Sequence, residues 1–135
     1  MQNKYSEKVM EHFLNPHNVG RIKNPSGVGK ISNSVCGDVM EMTIKIEKKG
    51  HKDIIKKAKF QTFGCGAAVA TSSIVTDLVK GKTLEEIKRI SPQDIDSSLG
   101  NLPAMKKHCA KLALDALWLA IEDYLSRGIT KKNEK

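Results

Sequence analysis

From Met40 the chain alternates without a break: Met40, Met42, Ile44 and Ile46 point one way, and Glu41, Thr43, Lys45 and Glu47 the other. A period of two belongs to a strand with one buried face, which the rest of the chain must cover. The polar run Lys48-Lys49-Gly50-His51 turns the chain, and residues 54–63 resume as a strand with Ala58, Phe60 and Thr62 on one face. Strands joined so briefly pair antiparallel. Residues 30–35 offer a weaker third strand, tied to the next through Cys36-Gly37-Asp38. After Gly64 the period becomes helical, with Ala67, Ala68, Ala70, Ile74, Leu78 and Val79 recurring and Gly81 placed to end the helix.

The flanking segments are helical too. Residues 5–14 form an amphipathic helix with Val9, Met10, Phe13 and Leu14 on its apolar side, stopped by Asn15-Pro16. Residues 17–30 contain Gly20, Pro25, Gly27 and Gly29 and are expected to be a loop. Thr83 with Glu86 makes a capping box, and Ser91-Pro92 opens another short helix. A broad stripe of Met105, Cys109, Leu112, Ala113, Ala116, Leu117, Ala120, Ile121 and Tyr124 predicts the longest helix, from near Pro103 to near Gly128. Residues 129–135 are expected to be a frayed basic tail. Strands and helices are segregated along the chain. The fold class is therefore α+β: a three-stranded antiparallel sheet with helices on one face and a long C-terminal helix.

A chain of 135 residues builds one core, so residues 1–135 read as a single domain. No apolar run approaches the ~20 residues that span a bilayer, and the N-terminus lacks the apolar centre of a secretory signal. An odd cysteine count argues for reduced thiols and a cytoplasmic protein. The net charge of +8 invites a nucleic-acid reading. Against it, the lysines are dispersed, and the few rings (Tyr5, Phe13, Phe60, Phe63, Trp118, Tyr124) fall mostly on expected core faces. Base stacking needs exposed rings beside basic stripes. Neither a nucleic-acid nor a membrane partner is expected, while an acidic protein partner fits the charge.

The chemistry is concentrated in three lone cysteines: Cys36 before Gly37-Asp38, Cys65 between Gly64 and Gly66, and Cys109 after His108. No CxxC pair exists, so a shared metal site would have to be assembled by folding. Thiolate, carboxylate and imidazole together are the ligand set of zinc and iron–sulfur chemistry. Each residue also has a plainer reading. Asp38 suits a turn in which it bonds local amides, and Cys65 suits a tight strand–helix turn. Cys109 suits the apolar face of its helix. Cys65 stands where free backbone N–H groups and the helix dipole stabilise negative charge, and its glycines leave room for something bulky. Taken singly, the residues leave both readings open.

The flanking sequence goes further. Residues 5–9 (YSEKV), Asn15-Pro16, Asn18-Val19-Gly20, residues 36–40 (CGDVM), 60–66 (FQTFGCG), 67–73 and 79–82 (VKGK), and Leu102-Pro103 leading to His108-Cys109 follow one another in order. In these stretches and their spacing the chain resembles the IscU/NifU-type iron–sulfur cluster assembly scaffolds over nearly its whole length. The resemblance implies that Cys36, Cys65 and Cys109 are cluster thiolates, with Asp38 and His108 as the non-cysteine ligand or exchange groups. It implies a 2Fe–2S cluster built from iron and desulfurase-derived sulfur, with Cys109 the first sulfur acceptor, and passed to acceptor apoproteins. A scaffold of this kind is not expected to be a turnover enzyme. Zinc would suit the same ligands, and the alternative is a zinc-binding sulfur acceptor that activates a cysteine desulfurase. His108 before Cys109, with no long insertion after Gly66, favours the scaffold, and the lack of further domains suggests the short type. Two positions depart from the pattern. Ser34 stands where the family carries proline, and Leu102-Pro103-Ala104-Met105-Lys106 replaces the Leu-Pro-Pro-Val-Lys stretch recognised by a heat-shock-type chaperone and its J-protein.

Overall fold

The computed structural model describes residues 6–32, 37–102 and 107–133, the last stretch with side chains through Arg127. The elements run α1 (Glu7–Leu14), β1 (Gly27–Ser32), β2 (Val39–Lys49), β3 (Lys52–Phe63), α2 (Gly66–Val79), α3 (Leu84–Ile87), α4 (Pro92–Ser98) and α5 (His108–Asn133). The three strands form one antiparallel sheet in the order β1-β2-β3, so the α+β architecture matches the sequence reading. Met40, Met42 and Ile44 of β2 and Ala58 and Phe60 of β3 are buried against α2 and α5.

The sheet departs from simple alternation at one point. The pairing steps from Lys45↔Lys57 to Ile46↔Ile55, a bulge that resets the parity of β3. Ile55 is thereby fully buried, and Ile54 is only partly so. Period two holds only while the ladder is regular.

The expected loop over residues 17–30 is corrected in its second half, where β1 already begins at Gly27. Its glycines are not turn formers. A Cβ on Gly27 would lie 2.1 Å from the Ala120 carbonyl oxygen, and one on Gly29 would lie 2.1 Å from that of Ala116. Here α5 rests directly on the strand backbone, and glycine is what allows the approach. The remainder of the segment crosses the outer face of the sheet. Gly20 N–H donates to Phe60 O and Phe60 N–H to Asn18 O along the edge of β3, and Ile22 N–H then reaches Thr43 Oγ1 at 3.1 Å. That accounts for Thr43 being buried on the face opposite the core.

Helix α1 also differs from expectation. Ser6 caps it by accepting from Val9 N–H, and its buried residues are Val9 and His12, while Met10, Phe13 and Leu14 are exposed. Phe63, which follows Thr62 and so falls on the other face of its strand, is exposed as well, at 83%. Burial, with His17 beside it, holds the His12 pKa below its ordinary value. The expected capping box Thr83–Glu86 is present and Pro92 occupies the first turn of α4, where Ser91 and Asp94 form a second box that the sequence reading did not include. Helix α5 continues through Gly128 to Asn133 rather than ending at the glycine. One glycine in a helix costs only about 1 kcal/mol, too little to stop it alone. Among the described residues no helix is long and apolar enough to cross a membrane. The expected continuation of β1 to residue 35, the helix start at Pro103 and most of the 102–106 stretch lie outside the described residues.

Candidate metal centre

Three chain segments meet at one end of the sheet. Asp38 directly precedes β2, Cys65 is the N-cap residue of α2 just after β3, and His108 and Cys109 open α5. Val39 pairs with Phe63, so the antiparallel register by itself brings Asp38 level with Gly64-Cys65. The Asp38 carboxylate is buried, and its Oδ2 lies 4.0 Å from Cys65 Sγ and 3.9 Å from Cys109 Sγ. His108 Nε2 is 3.8 Å from Cys109 Sγ. One ligand atom each from Asp38, His108 and Cys109 lies within 4.8 Å of the others. Cys109 is fully buried, Cys65 half-buried and His108 exposed, so the group runs from the core to the surface. Cys36 lies outside the described residues; the other four candidates are brought together.

Two glycines shape this meeting, each for its own reason. Gly37 has φ +76° with open space where a side chain would be, so it is needed for conformation. Gly64 is needed for room: a Cβ there would stand 2.7 Å from Asp38 Oδ1 and 2.9 Å from Ala68 Cβ. The Cys65 side chain makes no capping bond to the α2 amides, which leaves its sulfur for the cluster of ligating groups. A hollow of about 610 Å³ on the outer sheet face, walled by Val19, Val39 and Phe63, lies beside this centre rather than at it.

Asp96 is a residue the sequence reading missed. Its Oδ1 accepts from Leu102 N–H at 2.6 Å, and its Oδ2 from Lys107 Nζ at 2.8 Å. One buried carboxylate thus holds both ends of the passage into α5, fixing where His108 and Cys109 begin. In the sequence, Asp96 is merely one acidic residue of a short helix, and nothing local marks its partners.

Residues 4–131 match the NifU-like N-terminal domain family. The chain belongs to that family. It is 50% identical over 124 residues to an iron–sulfur cluster assembly scaffold protein IscU of Archaeoglobus fulgidus, covering 92% of this chain and 78% of the relative. Against the IscU scaffold protein of Escherichia coli the identity is 48% over 130 residues, covering 94% and 98% respectively. The crystal structure of a NifU-like protein's N-terminal part from Brucella abortus superposes with a TM-score of 0.71 over 90% of this chain and 94% of that one. At 14% identity, that likeness concerns the fold.

Proposed function

We propose that this chain is a scaffold on which a 2Fe–2S cluster is assembled as cargo and then handed to acceptor apoproteins. The observation that carries the reading is the placing of two thiols around one carboxylate oxygen, Cys65 Sγ at 4.0 Å and Cys109 Sγ at 3.9 Å from Asp38 Oδ2, in a member of this family. In this reading Cys36, two positions before Asp38, supplies the third thiolate. Asp38 and His108 share the remaining ligand position. A carboxylate exchanges more readily than a fourth thiolate would. That suits a site that must release its cargo, whereas four cysteines suit a cluster that stays.

Sulfur arrives as the persulfide of a cysteine desulfurase. The Cys109 thiolate attacks the outer sulfur and the desulfurase thiolate leaves, with His108 at 3.8 Å placed to take the Cys109 proton. Since Cys109 is fully buried, loading requires its sulfur to become exposed. An external electron donor then supplies two electrons per sulfur, cleaving the Cys109 persulfide into cluster sulfide and the restored thiolate, so the protein ends the process unchanged, a carrier and not a turnover enzyme. The odd cysteine count suits reduced thiols and a reducing, cytoplasmic setting. A heat-shock-type chaperone with its J-protein, engaging residues 102–106, is the remaining partner.

The test is oxygen-free reconstitution with ferrous iron, cysteine and a desulfurase, followed by iron and acid-labile sulfide analysis. Matched iron and sulfide with visible charge-transfer bands are expected, lost on Cys65→Ser or Cys109→Ser. Zinc retention with desulfurase activation and no labile sulfide would replace this reading with the zinc-dependent sulfur acceptor.

A further inference from the structure

A second set of ligating side chains lies far from the cysteines. His12 is in the last turn of α1, His17 follows the Asn15-Pro16 stop, and Asp77 is near the far end of α2. Asp77 is about 18 Å along that helix from Cys65 at ~1.5 Å per residue. One ligand atom from each of the three lies within 4.8 Å of the others. The imidazole rings stand 4.7 Å apart between centroids, tilted by 53°, and His17 Nδ1 meets Asp77 Oδ2 at 2.5 Å.

Two of these side chains, His12 and Asp77, are aimed by a neighbour, and His17 is held at its backbone. His12 is 7% exposed and has its Nδ1 2.7 Å from Ser73 Oγ, which also accepts from the His17 backbone N–H at 2.9 Å. Asp77 Oδ1 accepts from Asn18 Nδ2 at 2.9 Å, and Asn18 is held at φ 60°. Metal-binding histidines usually donate their second ring nitrogen to such an acceptor, which fixes the tautomer and the ring orientation. If Nδ1–H of His12 donates to Ser73, the lone pair of Nε2 is the one left for a ligand. His17 and Asp77 are exposed, so one side of the group is open to solvent.

We propose that His12, His17 and Asp77 form a second cation site, which takes a divalent first-row transition metal through two imidazoles and one carboxylate. This donor set suits zinc and ferrous ions and leaves further positions to water. Bonds of about 2.0–2.2 Å place ligand atoms roughly 3.4 Å apart around a tetrahedral ion. The ligand atoms, already within 4.8 Å of one another, close to that spacing through the two exposed side chains, His17 and Asp77. The site is independent of the cluster reading, since it shares none of its residues.

Zinc is the probe. In a variant with Cys36, Cys65 and Cys109 all changed to serine, calorimetric titration is expected to show one saturable Zn2+ site. The thermal midpoint of that variant should rise with zinc concentration, as linkage requires. His17→Ala and Asp77→Asn, both at exposed positions, should each weaken binding about tenfold or more. A contact that merely ties residue 17 to α2 would lower stability in these variants without altering any response to zinc. Should the triple variant fail to fold, Co2+ added to the wild-type protein replaces it. Thiolate-bound cobalt shows sulfur charge transfer, and only the nitrogen–oxygen bands without it should vanish in His17→Ala. Absence of a non-thiolate site in either experiment, or binding unchanged by both substitutions, overturns the proposal.

Discussion

Gly64→Ala isolates the geometry of the cysteine centre. The added Cβ would stand 2.7 Å from Asp38 Oδ1, against the 3.4 Å at which ordinary contact begins, so the carboxylate must retreat by about 0.7 Å. Metal–ligand distances tolerate only ~0.2 Å, so Asp38 would lose its place between the two sulfurs. The substitution should cost about 1–3 kcal/mol of stability through overpacking, read by urea denaturation. If Asp38 is the labile ligand, removing it with Asp38→Ala slows cluster transfer to an apo-ferredoxin, timed by visible circular dichroism. Gly64→Ala should slow transfer in the same direction, by about ten- to a hundredfold. The Ala68 Cβ also lies only 2.9 Å from the new atom, so Ala68→Gly added to Gly64→Ala separates crowding of the helix from displacement of the carboxylate. The double-mutant cycle is decisive, because two changes acting through one group do not add. In the Asp38→Ala background Gly64→Ala should have almost no further effect on transfer. An equal slowing in both backgrounds, or none in either, would refute the argument that the glycine serves the carboxylate.

Other consequences are as direct. Gly29→Ala places a Cβ 2.1 Å from Ala116 O and 2.4 Å from Ala120 N, and it should destabilise by about 1–3 kcal/mol, lowering the urea midpoint with the denaturant slope unchanged. Asp96→Ala leaves the buried Leu102 N–H without its acceptor, at a cost of about 1–3 kcal/mol; Asp96→Asn, which keeps an acceptor oxygen, should recover much of it. The Tyr124 hydroxyl donates to Asp53 Oδ1 at 3.0 Å, and burial, then that bond, raises its pKa. A raised pKa means the unfolded chain ionises first, so this contribution is intact below about pH 10 and is lost as pH climbs beyond it. Tyr124→Phe should flatten that alkaline decline in a pH series of thermal midpoints.

Local patterning carried much of the fold. Alternation in β2, the capping box at Thr83, Ser91 before Pro92 in a first turn, and the change of period after Gly64 are all short-range rules, and each element they predict is present. The failures have a common cause. Gly27 and Gly29 look like turn residues until α5 is laid across them. The apolar side of α1 looks like a core face, yet Phe13 and Leu14 are exposed because His12, bonded to Ser73, turns inward instead. In each case a partner from another element set the outcome, and no window along the chain contains that partner.

The same division holds for the site. Residue chemistry and order, from Cys36-Gly37-Asp38 to His108-Cys109, singled out the candidate ligating groups and the family, since covalent neighbours are written in the sequence. What the sequence left open was whether Cys65 and Cys109 face a common point or separate cores. Register decides this for Asp38 and Cys65, because Val39 pairs with Phe63. Asp96 sets the entry into α5 for Cys109. Angles and distances between remote segments arise only when strands pair and helices pack, so the tertiary structure alone puts the two sulfurs on one carboxylate.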